Sequence, residues 1–194
     1  MSQFTLSEKL FLIFVRFFHR KQKRKYTGEP YFHHVVCVAV TVKRYMRDQP
    51  SIVAIALGHD LLEDTKCTVD QLRIILRLCG FGKALRSEIE QGIIDLTDVF
   101  IKSSFPDLNR TQRKKMETLR LGTISATAQH VKCADLYDNT KSITTHDPGF
   151  AKVYLLEKEG IIKVLAKASP ELIELASFTY KPIDFVSPVS AQSF

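Results

Sequence analysis

The sequence predicts an all-α protein that forms a single helical domain. Apolar residues recur at helical spacing along the chain, and no stretch shows the two-residue alternation between hairpin turns that indicates strands. A capping box from Thr68 to Gln71 and the pair Ser169-Pro170 mark the starts of helices. Gly80 stands where a helix ends in a left-handed residue. Together these observations favour a fold made of helices.

The length and composition of the chain are those of one globular domain. Its 194 residues, 45% hydrophobic and 25% charged, suffice for one domain with a substantial core. We expect this domain to extend over residues 1–180. The prolines and serines of residues 181–194 predict a loosely attached C-terminal tail.

The individual helices are predicted from apolar periodicity and from the residues that interrupt it. A break at Tyr26–Pro30 separates the first two helices, and a second break at Asp48–Ser51 precedes an apolar helix that carries His59 and Asp60 at its end. Residues 102–109 show no periodicity and predict an irregular loop. The helices are expected over Leu6 to about Arg20, His33 to about Met46, Ile52 to the His-Asp pair, Thr68 to Gly80, about Lys83 to Leu96, Asn109 onward, Ser125 to about Asn139, Phe150 to about Lys167 and Ser169 onward.

The cysteines and the apolar segments indicate a cytoplasmic protein with no membrane anchor. Four cysteines lie far apart without a C-x-x-C pair, which argues against a zinc knuckle or a disulfide framework and fits a reducing cytosol. The apolar run Leu10–Val15 is too short to span a bilayer and lacks a following cleavage site. We interpret this run as part of the first core helix, the alternative being contact with a membrane surface.

The chain has a net charge of +7, and its basic residues are not spread evenly. One basic cluster lies within residues 16–25 and a second within residues 110–115. Such clusters are most often solvated faces, and otherwise they bind nucleic acid, phospholipid or a phosphorylated small molecule. Aromatic residues do not interleave with either cluster, which disfavours a single-strand stacking platform. A compact phosphorylated ligand fits better, so no stable nucleic-acid partner is expected.

The adjacent residues His59 and Asp60 are candidate ligands for a divalent metal. A single His-Asp pair more often forms a salt bridge at the end of a helix. Glu63 and Asp64 follow four residues later, so each would share a helix face with one member of the pair if the helix persists. Four titratable groups at the end of an apolar helix are difficult to explain by packing alone.

Further ligands are needed from other helices, and two places offer them. His33 and His34 open one predicted helix, and the residues alone do not choose between them. Asp135 lies in an apolar stretch, where a carboxylate is costly to bury unless it is paired or bound to a metal. A buried hydrogen bond is the alternative for Asp135.

These segments, taken in order, resemble the hydrolase domain of RelA/SpoT-type alarmone enzymes. The resemblance is greatest to the small alarmone hydrolases of the HD phosphohydrolase superfamily and covers roughly residues 10–145. It rests on His19 with Gln22 and Arg24, Gly28-Glu29-Pro30-Tyr31 with His34, His59-Asp60 with Glu63-Asp64-Thr65, Gly82, and Lys132-x-Ala134-Asp135 with Asn139.

The resemblance implies a role for each matching residue. It implies one divalent ion, commonly Mn²⁺, held by His34, His59, Asp60 and Asp135. It implies that Glu63 and Asp64 act on the attacking water, and that Arg24, Lys25 and Asn139 bind the nucleotide. Val35 stands where the family usually has proline, a difference that we expect to be structural only. Leu136 and Asp138 stand where many members have Arg and His, so contacts to the base or the sugar are expected to differ.

The activity implied is metal-dependent 3′-pyrophosphohydrolysis of ppGpp and pppGpp, which yields GDP or GTP. Arg110, Arg113 and Lys114 are candidates for neutralising substrate phosphates, because cations at the start of a helix oppose its dipole and need another role. The alternatives are the same site acting on (p)ppApp or NADPH, or a non-catalytic regulatory module of antitoxin type. The sequence leaves homo-oligomerisation open.

Overall fold

The structure, a computed structural model, describes residues 4–179 and is helical throughout that range. Apart from one isolated bridge between Lys23 and Pro30, no strand pairing occurs among these residues. The all-α prediction is therefore confirmed. The helices are α1 (Leu6–Phe18), α2 (Phe32–Tyr45), α3 (Ile52–Gly58), α4 (Leu61–Asp64), α5 (Val69–Leu78), α6 (Lys83–Leu96), α7 (Arg110–Leu121), α8 (Ala126–His146), α9 (Pro148–Val164) and α10 (Pro170–Ser177). The predicted tail, residues 181–194, lies outside the described residues, and the domain boundary at residue 180 stays a prediction.

Side-chain caps explain where several helices begin. Thr68 and Gln71 form the predicted capping box at the start of α5, and Asn109 forms one with Gln112 at the start of α7. Ser169 caps α10, with Pro170 at its first turn. Each cap satisfies backbone N–H groups that have no partner within the helix. Gly80, just after α5, has a φ of 79°, the left-handed conformation predicted for it.

Helix α3 lies at the centre of the core. Every one of its residues is buried, and it packs against α1, α2, α6 and α8. Two glycines permit this close packing. A Cβ atom on Gly58 would lie 2.6 Å from Ile93 Cδ1, and one on Gly92 would lie 2.5 Å from Ile55 Cδ1. The predicted buried helix is thus confirmed, and it sets the position of His59.

The boundaries of three helices differ from the predictions. The helix that carries the His-Asp pair does not persist: α3 ends at Gly58, and Asp60 leaves the helical conformation with φ −99° and ψ 3° before α4 begins. Helix α8 continues to His146 rather than ending near Asn139. Its last turns stay helical because Thr140 and Thr144 are buried, each donating to a carbonyl four residues earlier. Helix α9 is correspondingly displaced, beginning at Pro148 and ending at Val164.

The apolar N-terminal run belongs to a core helix. Phe11, Leu12 and Val15 of α1 are buried, whereas Ile13 and Phe17 remain exposed on its other face. Within residues 4–179, no helix combines the length and the apolar character needed to cross a bilayer.

Candidate metal centre

Three buried residues distant in sequence converge in the interior of the protein. His34 comes from the first turn of α2, His59 follows α3, and Asp135 lies in the middle of α8. Each offers a ligand atom, and these atoms lie within 4.8 Å of one another. Asp135 Oδ1 is 3.2 Å from His34 Nε2 and 3.7 Å from His59 Nε2. One ion placed among them would touch all three.

Asp60 adds a second carboxylate to the cluster. Its Oδ2 atom lies 2.9 Å from His59 Nε2 and 3.6 Å from His34 Nε2. The four side chains predicted as ligands therefore lie together. His33, the alternative to His34, is exposed on the outer face of α2.

The hydrogen bonds of the two imidazoles fit a metal ion. His34 Nδ1 donates to Asp138 Oδ2 at 2.6 Å, and His59 Nδ1 donates to the Ala56 carbonyl at 2.8 Å. Both Nε2 atoms are buried and have no hydrogen-bond partner, although carboxylate oxygens lie nearby. Metal-bound histidines characteristically use one nitrogen for such an anchor and the other for the ion. Two buried nitrogens without partners would otherwise be costly.

A second set of side chains holds the carboxylates in place. Tyr31 donates its hydroxyl hydrogen to Asp60 Oδ2 at 2.6 Å. Lys132 Nζ and Asn139 Nδ2 donate to the two oxygens of Asp135 at 3.0 and 2.6 Å. These contacts fix which oxygens face the imidazoles, so the centre is preorganised.

The charges in the cluster shift the pKa values of its histidines and of Asp135 towards the charged form of each side chain. Burial alone would lower the pKa of His59 and His34, but Asp60 and Asp135 raise the pKa of His59, and Asp135 and Asp138 raise that of His34. Burial alone would raise the pKa of Asp135, but Lys132 and the two histidines lower it well below its usual value. The carboxylates thus favour positive charge at this point, which is the kind of charge that a divalent cation would supply.

Glu63 and Asp64 lie beside this centre, on α4, and line a cavity of about 670 Å³. Glu63 Oε2 accepts a hydrogen bond of 3.0 Å from the backbone N–H of Asp98, in the loop after α6. Asp64 Oδ2 accepts one of 2.8 Å from Gln22 Nε2. The pKa of Glu63 is raised to about 7, because its carboxyl group is buried and the charge of Asp98 lies nearby. The two acids therefore have different surroundings.

Arg24 and Asn139 are joined directly. Arg24 donates to Asn139 Oδ1 at 2.9 Å and to Asp138 Oδ2 at 3.3 Å, and Asn139 in turn donates to Asp135. Lys25 points outward: its side chain is 75% exposed and lies 3.7 Å from Asp147. Of these two basic residues, only Arg24 donates hydrogen bonds to side chains that contact the cluster, those of Asn139 and Asp138.

The cations of α7 lie around a separate cavity of about 520 Å³ that reaches Asp135 and Asn139. Arg110 and Lys114 line this cavity, but Arg110 forms a salt bridge with Glu157, and Lys114 Nζ lies 3.0 Å from Asp98 Oδ2. Arg113 does not line it, since its guanidinium donates to the Leu108 carbonyl at the start of α7. That bond supplies a structural role for Arg113.

Some site residues were absent from the predicted set. Tyr31, Lys132 and Asp138 contact the proposed ligands directly. A signal was available for Lys132, because a lysine three residues before a buried aspartate on one helix lies on the same face. No local signal links Asp138 to His34, since 104 residues separate them.

The fold and the cluster define a class: an all-α protein with a buried centre of two imidazoles and two carboxylates at the meeting point of its helices. No family model matches the chain. It is 27% identical over 142 residues to the guanosine-3′,5′-bis(diphosphate) 3′-pyrophosphohydrolase MESH1 of Drosophila melanogaster, which covers 71% of this chain and 69% of that protein. Human MESH1 is 29% identical over 136 residues, covering 67% and 65%.

A longer bacterial protein also matches the chain. The guanosine-3′,5′-bis(diphosphate) 3′-pyrophosphohydrolase of Aquifex aeolicus is 32% identical over 130 residues, which cover 64% of this chain and 16% of that protein. The chain thus spans only a small part of the bacterial relative and about two thirds of the MESH1 proteins.

Solved structures show the same fold. The structure of a metazoan ortholog of SpoT that hydrolyzes ppGpp has a TM-score of 0.72 at 21% identity, covering 89% of this chain and 92% of that one. Protein lmo0812 of Listeria monocytogenes has a TM-score of 0.56 at 23% identity, covering 78% and 94%. The resemblance to small ppGpp hydrolases of the SpoT type is therefore confirmed at the level of sequence and fold.

Proposed function

We propose that this protein is a metal-dependent 3′-pyrophosphohydrolase that converts ppGpp and pppGpp to GDP and GTP. The observation that carries the proposal is the pair of buried imidazoles, His34 and His59, whose Nε2 atoms face two carboxylates without a hydrogen-bond partner. Its substrate class is supported by the relatives, which are named as hydrolases of this nucleotide.

The proposed cofactor is one divalent ion, Mn²⁺, held by His34, His59, Asp60 and Asp135. Two imidazoles and two carboxylates make a mixed nitrogen and oxygen set, which suits Mn²⁺ and accepts other divalent ions. Such an ion lowers the pKa of water and polarises phosphoryl oxygens when it is bound. Lys132 and Tyr31 keep the two carboxylates oriented towards the imidazoles.

The proposed reaction forms one bond and breaks one. The oxygen of water bonds to the phosphorus attached to the ribose 3′ oxygen, the bond between this phosphorus and the 3′ oxygen breaks, and the 3′ oxygen takes a proton. Asp64, whose Oδ2 is held by an amide donor, is suited to orient the water and receive its proton. Glu63 retains a proton at higher pH than an ordinary glutamate and is suited to supply one to the leaving oxygen.

Cations near the centre are suited to bind the phosphates. Arg24 is attached to the centre through Asn139 and Asp138, and Lys25 follows it at the surface. Arg110 and Lys114 line the cavity that reaches Asp135, and their present partners, Glu157 and Asp98, are carboxylates that a more highly charged phosphate would displace. Arg113, which is bonded to a backbone carbonyl, is the weakest of the proposed phosphate ligands.

The proposed location is the cytoplasm, and the proposed partner is a small nucleotide. All four cysteines are free, which suits a reducing compartment. Neither oligomerisation nor a second macromolecule is needed to complete the four-residue centre, because all four side chains belong to one chain.

A nucleotide panel tests the proposal. Metal-free protein is supplied with Mn²⁺ and incubated with ppGpp, pppGpp, ppApp and NADPH, and released pyrophosphate and phosphate are measured separately. We expect pyrophosphate and GDP or GTP from the guanosine alarmones, and loss of this activity when a chelator is added. Full activity in chelator would contradict the role of the metal.

Other outcomes of the panel identify the alternatives. Faster release from ppApp, or of phosphate from NADPH, would assign the same centre to a different substrate. Tight binding of ppGpp without turnover in Mn²⁺ would indicate a regulatory module instead of an enzyme.

A further inference from the structure

His19 and Gln22 connect the chain between α1 and α2 to Asp64. His19 is the C-cap of α1 and is 2% exposed. Its Nδ1 donates to Gln22 Oε1 at 2.6 Å, and Gln22 Nε2 donates to Asp64 Oδ2 at 2.8 Å. The three side chains thus form one directional series from a buried ring to a carboxylate on α4.

The direction of this series is internally consistent. With the Gln22 nitrogen donating to Asp64, its oxygen faces the imidazole, so Nδ1 of His19 carries the proton. Burial lowers the pKa of His19, which keeps the ring neutral with a single proton. The reverse orientation of the amide would place its oxygen against the Asp64 carboxylate, which is repulsive.

The same segment also reaches the metal centre. The ring of His19 stacks on that of Tyr31, with centroids 5.1 Å apart and an interplanar angle of 23°. Tyr31 donates to Asp60 Oδ2, and its backbone N–H donates to the Gln22 carbonyl at 3.0 Å. One buried ring therefore supports both a proposed metal ligand, Asp60, and the carboxylate proposed to receive the proton of water, Asp64.

We propose that His19 and Gln22 are positioning residues for the hydrolysis proposed above, on which this inference rests: Gln22 holds Asp64 in the orientation needed to receive a proton from water, and His19 holds Gln22. The glutamine amide does not ionise, so it presents a donor to Asp64 at any working pH. Glu63 is held separately by the backbone N–H of Asp98. The two acids are thus oriented by different parts of the chain.

The bond between Gln22 and Asp64 lies at the surface of a cavity, where it contributes little to stability. The net contribution of such a bond to folding is small, because water takes its place in the unfolded chain. A misplacement of about 1 Å at a reacting group, by contrast, costs up to about 100-fold in rate. Loss of Gln22 should therefore affect turnover much more than folding.

Kinetics of Gln22→Leu test the role of Gln22. This variant keeps the side-chain size and removes the donor. With saturating Mn²⁺ and ppGpp as substrate, we expect kcat to fall about 10- to 100-fold, KM to change less than about 2-fold, and Mn²⁺ affinity to stay unchanged. In an Asp64→Asn background, Gln22→Leu should cause no further loss of kcat, because Gln22 acts through Asp64.

Gln91→Leu is the matched control. Gln91 Nε2 also donates to an aspartate, Asp95 Oδ1, at 2.8 Å on the exposed side of α6. Its loss removes the same kind of bond away from the centre, so kcat should not change.

Two substitutions test the role of His19. Asn retains a donor towards Gln22 and Leu does not, so His19→Asn should keep a higher kcat than His19→Leu at equal folded fraction.

The outcomes separate this inference from the proposed function. If the wild type releases pyrophosphate but Gln22→Leu keeps full kcat, the positioning role is wrong and the hydrolase proposal stands. The same holds if Gln22→Leu lowers kcat in the Asp64→Asn background as much as it does in the wild type. If the wild type with Mn²⁺ cleaves no ppGpp, the proposed function fails and the inference fails with it.

Discussion

The two histidines of the centre share one pattern of contacts at their ring nitrogens. In both His34 and His59, Nδ1 is held by a hydrogen bond within the protein, and Nε2 is buried without a partner. Adjacent carboxylates alone would be consistent with a salt bridge. The buried, unpartnered nitrogens favour a metal site, because a folded protein seldom leaves two such atoms unsatisfied within a few ångström of each other.

Replacement of Asp135 should remove the metal. In Asp135→Asn the side chain keeps its size but loses the charge that faces both imidazoles, so we expect Mn²⁺ affinity to fall by more than about 100-fold and activity to fall with it. Calorimetric titration of Mn²⁺ measures the affinity. Asp70→Asn, on the exposed face of α5, is the control and should bind metal normally. Retention of wild-type affinity by Asp135→Asn would exclude Asp135 as a ligand.

Replacement of Glu63 should leave the metal bound and slow the chemistry. Glu63 is held by a backbone N–H and makes no contact with the two imidazoles among those described. In Glu63→Gln we expect unchanged Mn²⁺ affinity and a kcat lower by about 10²- to 10⁴-fold, the usual contribution of a group that transfers a proton. Steady-state kinetics and metal titration on the same preparation check this. Loss of metal with little change in the rate of reloaded protein would reverse the roles of Glu63 and Asp135.

At the scale of the helices, the centre depends on the close approach of α3 to its neighbours. His34, His59 and Asp135 are brought together because α2 and α8 both pack on α3, whose residues are buried all round. Gly92 lets α6 approach α3 from another side, where Ile55 fills the space that a side chain would occupy. The short interruption after Gly58 then turns Asp60 towards the imidazoles.

Two glycine substitutions test this packing. In Gly92→Ala the new Cβ would lie 2.5 Å from Ile55 Cδ1 and 2.9 Å from its Cγ1, and Ile55 is fully buried. We expect the free energy of unfolding to fall by about 1–3 kcal/mol, as for other overpacked cores. Gly160→Ala, in α9, has no atom within 4 Å and should raise it by about 0.5–1 kcal/mol through helix propensity alone. Urea denaturation measures both, and equal effects of the two changes would contradict close α3–α6 packing.

At the scale of the whole molecule, positive charge surrounds a centre that is itself rich in carboxylates. The chain has a net charge of +7, and several of its cations line the cavity beside Asp135. Although burial lowers the pKa values of His34 and His59, carboxylates of the centre raise both of them above the usual value. We therefore expect the proposed metal binding to be coupled to protonation of the histidines and to folding.

The coupling predicts how pH changes the effect of metal on stability. Since the folded-state pKa values of His34 and His59 lie above the unfolded value of 6.5, their protonation stabilises the metal-free protein below pH 6.5, and this contribution is lost as pH rises through the folded values. Metal requires the unprotonated nitrogens. We expect the increase in Tm caused by Mn²⁺ to be larger at about pH 8 than at about pH 5.5.

Thermal unfolding with and without chelator at the two pH values checks this prediction. Asp135→Asn serves as the control and should show little increase in Tm with Mn²⁺ at either pH. An increase in the wild type that is independent of pH, or larger in acid, would contradict proton competition at the two histidines.

Helix starts and core faces were predictable from the sequence because their causes are local. The capping boxes at Thr68 and Asn109 satisfy N–H groups within three residues, and Gly80 takes the left-handed conformation that its place after α5 requires. The buried character of α3 follows from its uninterrupted apolar composition. The ends of α8 and α9 were predicted less well, because Thr140 and Thr144 are kept helical by burial against other elements.

The sequence by itself thus determined the helical class, the starts of several helices and the residue types able to bind a metal. Only the tertiary structure decided that His34, and not its exposed neighbour His33, faces His59, and that Asp138, Lys132 and Tyr31 contact the proposed ligands. The reason is physical: capping and periodicity act over a few residues, whereas contacts across 104 positions, such as that of His34 with Asp138, exist only after the helices have packed.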